Sequence, residues 1–487
     1  MTKLNGCKRR GVLVLVFAAT AIGARAQTFK SVSFDVANGA APSGVLVQGL
    51  DGNLYGAASA GGANGFGTVF KLTPHHGIRT LYSFCSQANC TDGQYPDGGL
   101  TLGTDGNFYG TTGWGGANSC GTNLGCGTIF KITPAGKLTT LYSFCSQPNC
   151  VDGTNPEAVL LQGLDESMYG TTVAGGANGS GTVFKLTPSG ITTLYSFCSQ
   201  PNCADGQSSY GGLILATDGN FYGTTGRGGA NGGGTIFKLT EGGSFSTLYT
   251  FCSQPGCLDG AAPYGGLIQA ADANLYGTTL GGANCNLLYG CGTIFRITLT
   301  GTLTSLYNFC QTSCLDGGSP WAGLLQATDG NLYGTTSDGG LNDGGTIFNS
   351  TTDGILTTLY SFCGQGNCYD GENPTSGVLQ ATNGNIYGTT TRGGAYGVGT
   401  VYSLSAALGP FVETLRSFGD VGSKVLILGN NLTGTTSVAF NGVAASFTTV
   451  SKTEVKTTVP QGATTGYVTV TMPTGVLTSN VPFRVIQ

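Results

Sequence analysis

Gly266-Leu267-Ile268-Gln269-Ala270, then Asp272-Ala273-Asn274, then Leu275-Tyr276-Gly277-Thr278-Thr279, then Gly292-Thr293-Ile294-Phe295-Arg296-Ile297, and finally Leu303-Thr304-Ser305-Leu306-Tyr307-Asn308-Phe309 form one unit of this chain. The apolar runs are β-branched and aromatic, and Gly, Asn and Asp bound them. The unit therefore reads as four strands, A to D, with a tight turn between A and B. The same unit recurs around Tyr55, Tyr109, Tyr169, Tyr222, Tyr276, Tyr333 and Tyr387. Seven copies at a period near 50 residues predict a seven-bladed β-propeller. No segment carries a 3.6-residue apolar period long enough for a helix. Ser31-Val32-Ser33-Phe34 resembles strand D but precedes the first A strand, and the seventh copy stops after strand C near Leu404. The N-terminal strand is thus expected to complete the last blade and remove an exposed edge. An open solenoid would need capping repeats at its ends, and none are visible.

Composition agrees with an all-β reading. Glycine occupies 86 of 487 positions and charged residues are 9%, against about 7% and about 25% in an ordinary domain. Aromatics at 10% exclude a disordered chain. The net charge is −4. The basic residues Lys3, Lys8, Arg9, Arg10 and Arg25 fall in the first 26 positions, which hold no acid. The remainder is more acidic than the whole, with no basic stripe. That argues against nucleic acid and against anionic membrane surfaces.

Residues 1–26 read as a secretory signal: Lys8-Arg9-Arg10, an apolar run from Val12 to Ile22, and Ala24-Arg25-Ala26 as the cleavage site. The run is too short to span a bilayer, and no later stretch is apolar enough. A secreted or cell-surface protein, extracellular or periplasmic, is expected. Of 17 cysteines, Cys7 leaves with the signal and sixteen form local couples. Six couples share one motif: Cys85/Cys90, Cys145/Cys150, Cys198/Cys203, Cys252/Cys257, Cys310/Cys314 and Cys363/Cys368. Cys120/Cys126 and Cys285/Cys291 are two more. Even numbers in close couples predict disulfides in an oxidising compartment. Zinc would need two couples to converge, and couples spread evenly along a chain do not; no metal and no cofactor are expected.

The repeat resembles the NHL-like and virginiamycin-B-lyase-like propellers, in which Asp-Gly-Asn-Leu-(Trp/Tyr) also separates strands A and B. More closely, its Asp-Gly-Asn-Leu-Tyr-Gly-Thr-Thr and Gly-Thr-(Val/Ile)-Phe-Lys-Leu-Thr segments are similar to the bacterial GloVer tandem-repeat family over about residues 30 to 405. That resemblance implies an exported repeat protein of no established activity. Near Ala406 cysteine and the period both disappear. Residues 410–487 read as short alternating strands of a small sandwich. Gly429-Asn430-Asn431-Leu432, Val438-Ala439-Phe440-Asn441-Gly442, Val459-Pro460 and Gly466-Tyr467-Val468-Thr469-Val470 resemble an IPT/TIG immunoglobulin-like module, which implies a spacer or binding unit. The expected organisation is a signal at 1–26, a propeller at 27–405 and an Ig-like domain at 410–487.

In a propeller, A–B and C–D turns share one face, and B–C and D–A loops share the other. Here the first set is short. Most of the length variation, the cysteine couples and the Gly-rich loops belong to the second, which is the expected functional face. An aspartate follows each second cysteine of the shared motif: Asp92, Asp152, Asp205, Asp259, Asp316 and Asp370. They read either as a turn pair with glycine or as rim ligands for Ca²⁺ or sugar hydroxyls. The D–A loop then meets strand A through a position occupied by Ser43, Asp97, Glu157, Tyr210, Tyr264, Trp321 and Thr375. A second variable spot in the B–C loop holds Trp114, Arg227, Asp338 and Arg392. Aromatic planes beside carboxylates suit a neutral glycan. Local packing of these rings against neighbouring blades is the competing reading.

Signals for an enzyme are few. His75 and His76 fall in a C–D turn on the opposite face, whereas a lyase of the virginiamycin type needs a histidine base at the channel mouth. No Ser/His/Asp grouping is available on the loop face. Asp97 and Glu157 suit glycoside chemistry only at a suitable separation. The sequence therefore predicts a monomeric, non-catalytic binding or surface-interaction propeller for extracellular polysaccharide or a surface protein. A carbohydrate-active hydrolase or lyase using rim carboxylates is the alternative, and a structural surface protein a third. The binding reading requires Trp114 and Trp321 to keep solvent access; the enzyme reading requires Asp97 and Glu157 within about 10 Å.

Overall fold

The computed structural model describes residues 27–73, 77–121, 125–282, 291–311 and 313–486. The expected signal at 1–26 lies outside them. Among the described residues there is no α-helix, and no helix is long and apolar enough to cross a membrane. The repeat region forms seven four-stranded antiparallel sheets among the described residues. In the unit quoted above the strands are Ile268–Gln269, Leu275–Thr279, Thr293–Ile297 and Leu303–Asn308, in that order. Strand A is shorter than its sequence suggests. The inner segments crowd one another, so a Cβ on Gly265 would lie 2.6 Å from the Ala322 carbonyl carbon of the next sheet. Side-by-side backbone packing replaces most of the A–B ladder there.

The Tyr-Gly-Thr-Thr signature is explained residue by residue. The Tyr276 hydroxyl donates to Asp272 in the A–B turn at 2.8 Å. Gly277 has no Cβ because the Phe295 ring of strand C lies across it, 2.6 Å from where a Cβ would stand. Thr278 Oγ1 donates to the Ala322 carbonyl of the next sheet at 2.7 Å, and Thr279 Oγ1 pairs with Thr293 Oγ1 at 2.8 Å. A β-bulge between Ile294 and Phe295 separates strands C and D into two registers, sharpening the local twist. Phe295, Phe309 and Ile294 are fully buried between sheets.

The last sheet confirms the closing strand. Phe29–Ser33 pairs with Thr400–Leu404, beside Ile386–Thr390 and Leu379–Gln380. Thr389 Oγ1 donates to the Pro42 carbonyl at 3.0 Å, and the Thr382 N–H to Gln48 Oε1 at 2.9 Å. The first and last sheets are therefore neighbours. The same glutamine clasp joins Thr217 to Gln269, Ala271 to Gln326 and Thr328 to Gln380.

Residues 411–486 form two further four-stranded sheets. One orders Glu413–Thr414, Lys424–Leu428, Glu454–Thr458 and Phe447–Thr449; the other Val443–Ala445, Ser437–Phe440, Val468–Met472 and Gly475–Thr478. Ile427, Leu432, Val455, Val468 and Val470 fill the space between them. This module rests on the A–B turn face. Thr453 Oγ1 donates to the Leu50 carbonyl at 2.7 Å, Asn430 Nδ2 to Thr382 Oγ1 at 2.9 Å, and Leu428 packs with Tyr55 and Phe108.

Candidate functional site

Six of the seven D–A loops on the opposite face are stapled by a disulfide and carry an aspartate, fully buried in five of them. Asp205 is fully buried and accepts from the Tyr195 hydroxyl at 2.7 Å, the Ser199 N–H and hydroxyl at 2.9 Å, and the Gln200 N–H at 3.2 Å. Burial pushes its pKa up, and these donors more than reverse that, leaving it below the ordinary value. Asp92, Asp152 and Asp259 hold the same set of donors; Tyr307 and Tyr360 donate to Asp316 and Asp370. The turn reading fits Asp92, Asp152, Asp205, Asp259 and Asp370, whose buried oxygens accept from their own loops' donors, whereas half-buried Asp316 accepts only from Tyr307.

Disulfides close Cys85–Cys90, Cys145–Cys150, Cys198–Cys203, Cys252–Cys257, Cys310–Cys314 and Cys363–Cys368. Cys291 is also disulfide-bonded, and Cys285 lies outside the described residues. The bridge expected between Cys120 and Cys126 is corrected, since both are free thiols. Each sulfur is satisfied by a backbone carbonyl instead, Cys120 donating to Gly125 at 3.0 Å and Cys126 to Asn118 at 3.6 Å. Burial pushes the Cys126 thiol up, and the Cys120 side chain pushes it further.

Two residues before its mouth position each of the seven loops passes through one left-handed non-glycine residue. Tyr95, at φ +54°, is the bulkiest. A proline follows in six of the seven copies, and Pro96 Cδ sits where a Cβ on Gly67 would be, 2.4 Å away. Strained backbone of this kind persists only where the surroundings over-determine it. The next residue is thereby delivered to the mouth of the ring in a fixed place.

Seven such residues surround that mouth in chain order and divide it by chemistry. Ser43 Oγ donates to the Asp97 carbonyl at 3.3 Å. Asp97 Oδ2 and Glu157 Cγ lie 3.4 and 3.6 Å from the Cβ position of Gly113. Asp97 Oδ2 is therefore at most about 7 Å from Glu157 Cγ. Burial pushes the Asp97 pKa up to about 6, with a hydrogen bond from Ser59 opposing it. Burial, and then the charge of Asp97, pushes Glu157 up to about 7.

The following sector is aromatic. Tyr210 and Tyr264 have ring centroids 4.7 Å apart, and Tyr264 and Trp321 5.3 Å. Trp321 is 39% exposed and the tyrosines half-buried. A Cβ on Gly226 would meet Tyr264 Cε1 at 2.2 Å, so glycine at that position lets the tyrosine ring in. Rings from three sheets thus form one contiguous cluster, successive planes tilted by 50° and 45°.

Trp114 is half-buried on the B–C loop of the acidic sector, paired through its backbone to Gln94. Arg227, Asp338 and Arg392 are exposed further out, paired likewise to Gln207, Gly318 and Glu372. Arg227 and Tyr264 share a cavity of about 460 Å³ with Asn202 and Gln207. Sequence reading missed the residue right after strand B: Ser59, which follows Ala57-Ala58, and Gly113 and Gly226, which follow Thr-Thr, sit beside the mouth residues. Their signal was present, since this position also differs from copy to copy. His75 and His76 lie outside the described residues.

The profile of the Gloeobacter/Verrucomicrobia repeat matches residues 1–124, 122–314 and 284–442. The chain belongs to that repeat family. The IPT/TIG domain profile matches residues 410–485, so this member of the repeat family carries a C-terminal Ig-like module. No curated protein matches its sequence. Among solved structures, the repeat protein is similar to a candidate 6-phosphogluconolactonase from Bacteroides uniformis at 14% identity and a TM-score of 0.40, over 71% of this chain and 94% of that one. A luciferin-regenerating enzyme aligns at 12% identity and a TM-score of 0.36, over 64% of this chain and 92% of that one. The extracellular domain of a candidate hybrid two-component system from B. thetaiotaomicron aligns at 10% identity and a TM-score of 0.34, over 93% and 58%.

Proposed function

We propose that this chain is an exported seven-bladed β-propeller, over residues 27–405, with an Ig-like domain at 410–487, and that the mouth of its loop face binds extracellular polysaccharide. The contiguous Tyr210–Tyr264–Trp321 aromatic cluster carries the reading. Its outer ring is exposed, and it adjoins carboxyl groups able to take hydroxyl hydrogen bonds. Flat apolar faces beside a few placed polar groups are what a sugar ring requires. Six short disulfides and buried aspartates hold the loops, so binding need not order them first.

Tryptophan fluorescence titration with a panel of soluble polysaccharides tests this. A saturable shift is expected, lost in Trp321→Ala and in Gly226→Ala, which displaces Tyr264. A folded protein silent to every polysaccharide would leave a structural or protein-binding role.

One observation favours a second reading, acid–base chemistry on the bound glycan. Asp97 and Glu157 are close, and burial raises both. One protonated and one ionised carboxyl near neutral pH is the state a glycosidase pair requires. Release of new reducing ends, absent in Glu157→Gln, would establish it; binding without product would set it aside.

A further inference from the structure

Two junctions between neighbouring sheets lack the glutamine clasp, and both replace it in the same way. At five junctions an A–B turn residue, Thr104, Thr217, Ala271, Thr328 or Thr382, donates its N–H to the glutamine of the next strand A. At the other two, leucine stands in both places: Leu50 with Leu102, and Leu164 with Leu215. A leucine pair offers no hydrogen bond and gains by leaving water. The first pair is covered, because the Ig-like module brings Leu415 and Leu428 into one cluster with Leu50 and Leu102. The second is not. Leu164 stays 44% exposed and lines a cavity of about 510 Å³ beneath the module. Ile214 and Leu215 line it with Leu164 from the ring, and Phe418, Pro482 and Ile486 from the module. An apolar cavity of that volume at a domain junction has the character of a small-molecule site.

One cation sets its polarity. Arg484 is the one charged residue lining the cavity among the described residues. It takes no part in their ion pairs. Its backbone N–H donates to the Ser417 carbonyl at 2.7 Å, whereas its guanidinium has no hydrogen bond among those residues and keeps solvent access. The amides on the ring wall are occupied: Gln269 with Thr217 and Ala273, and Gln326 with Ala271 and Gly330. Apolar walls, one unpaired guanidinium and no lining acid suit a molecule with an apolar body and one anionic end.

We propose that this junction binds an anionic amphiphile with a single alkyl chain, the chemistry of a free fatty acid. The chain covers the Leu164–Leu215 pair as Leu415 and Leu428 cover the other pair, and the carboxylate meets Arg484. The assignment is independent of the loop-face reading, since it uses the other face of the ring.

Calorimetric titration of the full-length chain with decanoate, decanol and acetate tests it. Saturable binding of decanoate is expected, with decanol about tenfold weaker and acetate showing none. Arg484→Gln should weaken decanoate about tenfold and leave decanol unchanged. Leu164→Thr, which installs the residue found at this place in four other turns, should weaken both about fivefold. Trp321→Ala should change neither. Should Arg484→Gln fail to fold, the decanoate-to-decanol ratio and Leu164→Thr still decide the matter. Absence of decanoate binding overturns the proposal, as does binding indifferent to Leu164→Thr or lost in Trp321→Ala. Decanol bound as tightly as decanoate would overturn the role of Arg484 and with it the anionic assignment.

Discussion

The two faces of the ring are built from the same repeats and differ in what the repeats preserve. On the turn face, four blades repeat one arrangement, with a lysine on the A–B aspartate and over the tyrosine ring: Lys71–Asp51, Lys131–Asp105, Lys185–Asp165 and Lys238–Asp218. On the loop face the scaffold is equally uniform, yet the residue it delivers to the mouth changes from serine to acid to aromatic to threonine. A repeat protein that mounts different side chains on closely similar loops separates the positions that hold the fold from those free to vary. Uniform positions hold the fold, and the variable ones line the mouth.

The comparison is broken most severely at a buried anchor. Asp205→Ala leaves the Tyr195, Ser199 and Gln200 donors unmet and should cost about 3 kcal/mol, read from the denaturant midpoint. A loss under about 1 kcal/mol would mean these aspartates do not hold the loops. Trp321→Ala should do the converse. It should cost at least about tenfold in glycan affinity while the melting temperature moves by only about 2 °C.

The acid sector gives a smaller, pH-dependent signal. Asp97 and Glu157 bind protons more tightly folded than unfolded, since both pKa values are raised, to about 6 and about 7. Between pH 4 and 7 the folded state therefore holds the extra protons, and stability falls as pH rises through that window. Thermal melts should show the decline, and Asp97→Asn with Glu157→Gln should flatten it. A wild-type melting temperature indifferent to pH there would mean the acids are solvated. The smallest effect belongs to the turn face. Lys238→Ala removes one partly exposed ion pair and should cost under about 1 kcal/mol, with no change in glycan binding.

Much of this was legible in the chain itself. The Tyr-Gly-Thr-Thr spacing located the strands, and Ser31–Phe34 announced the closing strand because a strand without its sheet needs one. The mouth residues were legible too, as a position where the copies disagree. The buried role of Asp205 was not, because Asp-Gly reads as a turn whether its carboxylate faces water or its own loop. Nor were the free thiols of Cys120 and Cys126, because a couple close in sequence says nothing about where each sulfur points.

What the sequence determined by itself was local: β-branched and aromatic runs, turn residues and a period, each dictated by neighbours a few residues away. The tertiary structure alone decided which distant residues meet. Asp97 approaches Glu157, and Tyr264 joins Tyr210 to Trp321, only once consecutive sheets close around an axis. Leu164 acquires its cavity only once the Ig-like module rests on the turns. Those contacts depend on packing between segments far apart in the chain, and no local pattern encodes them.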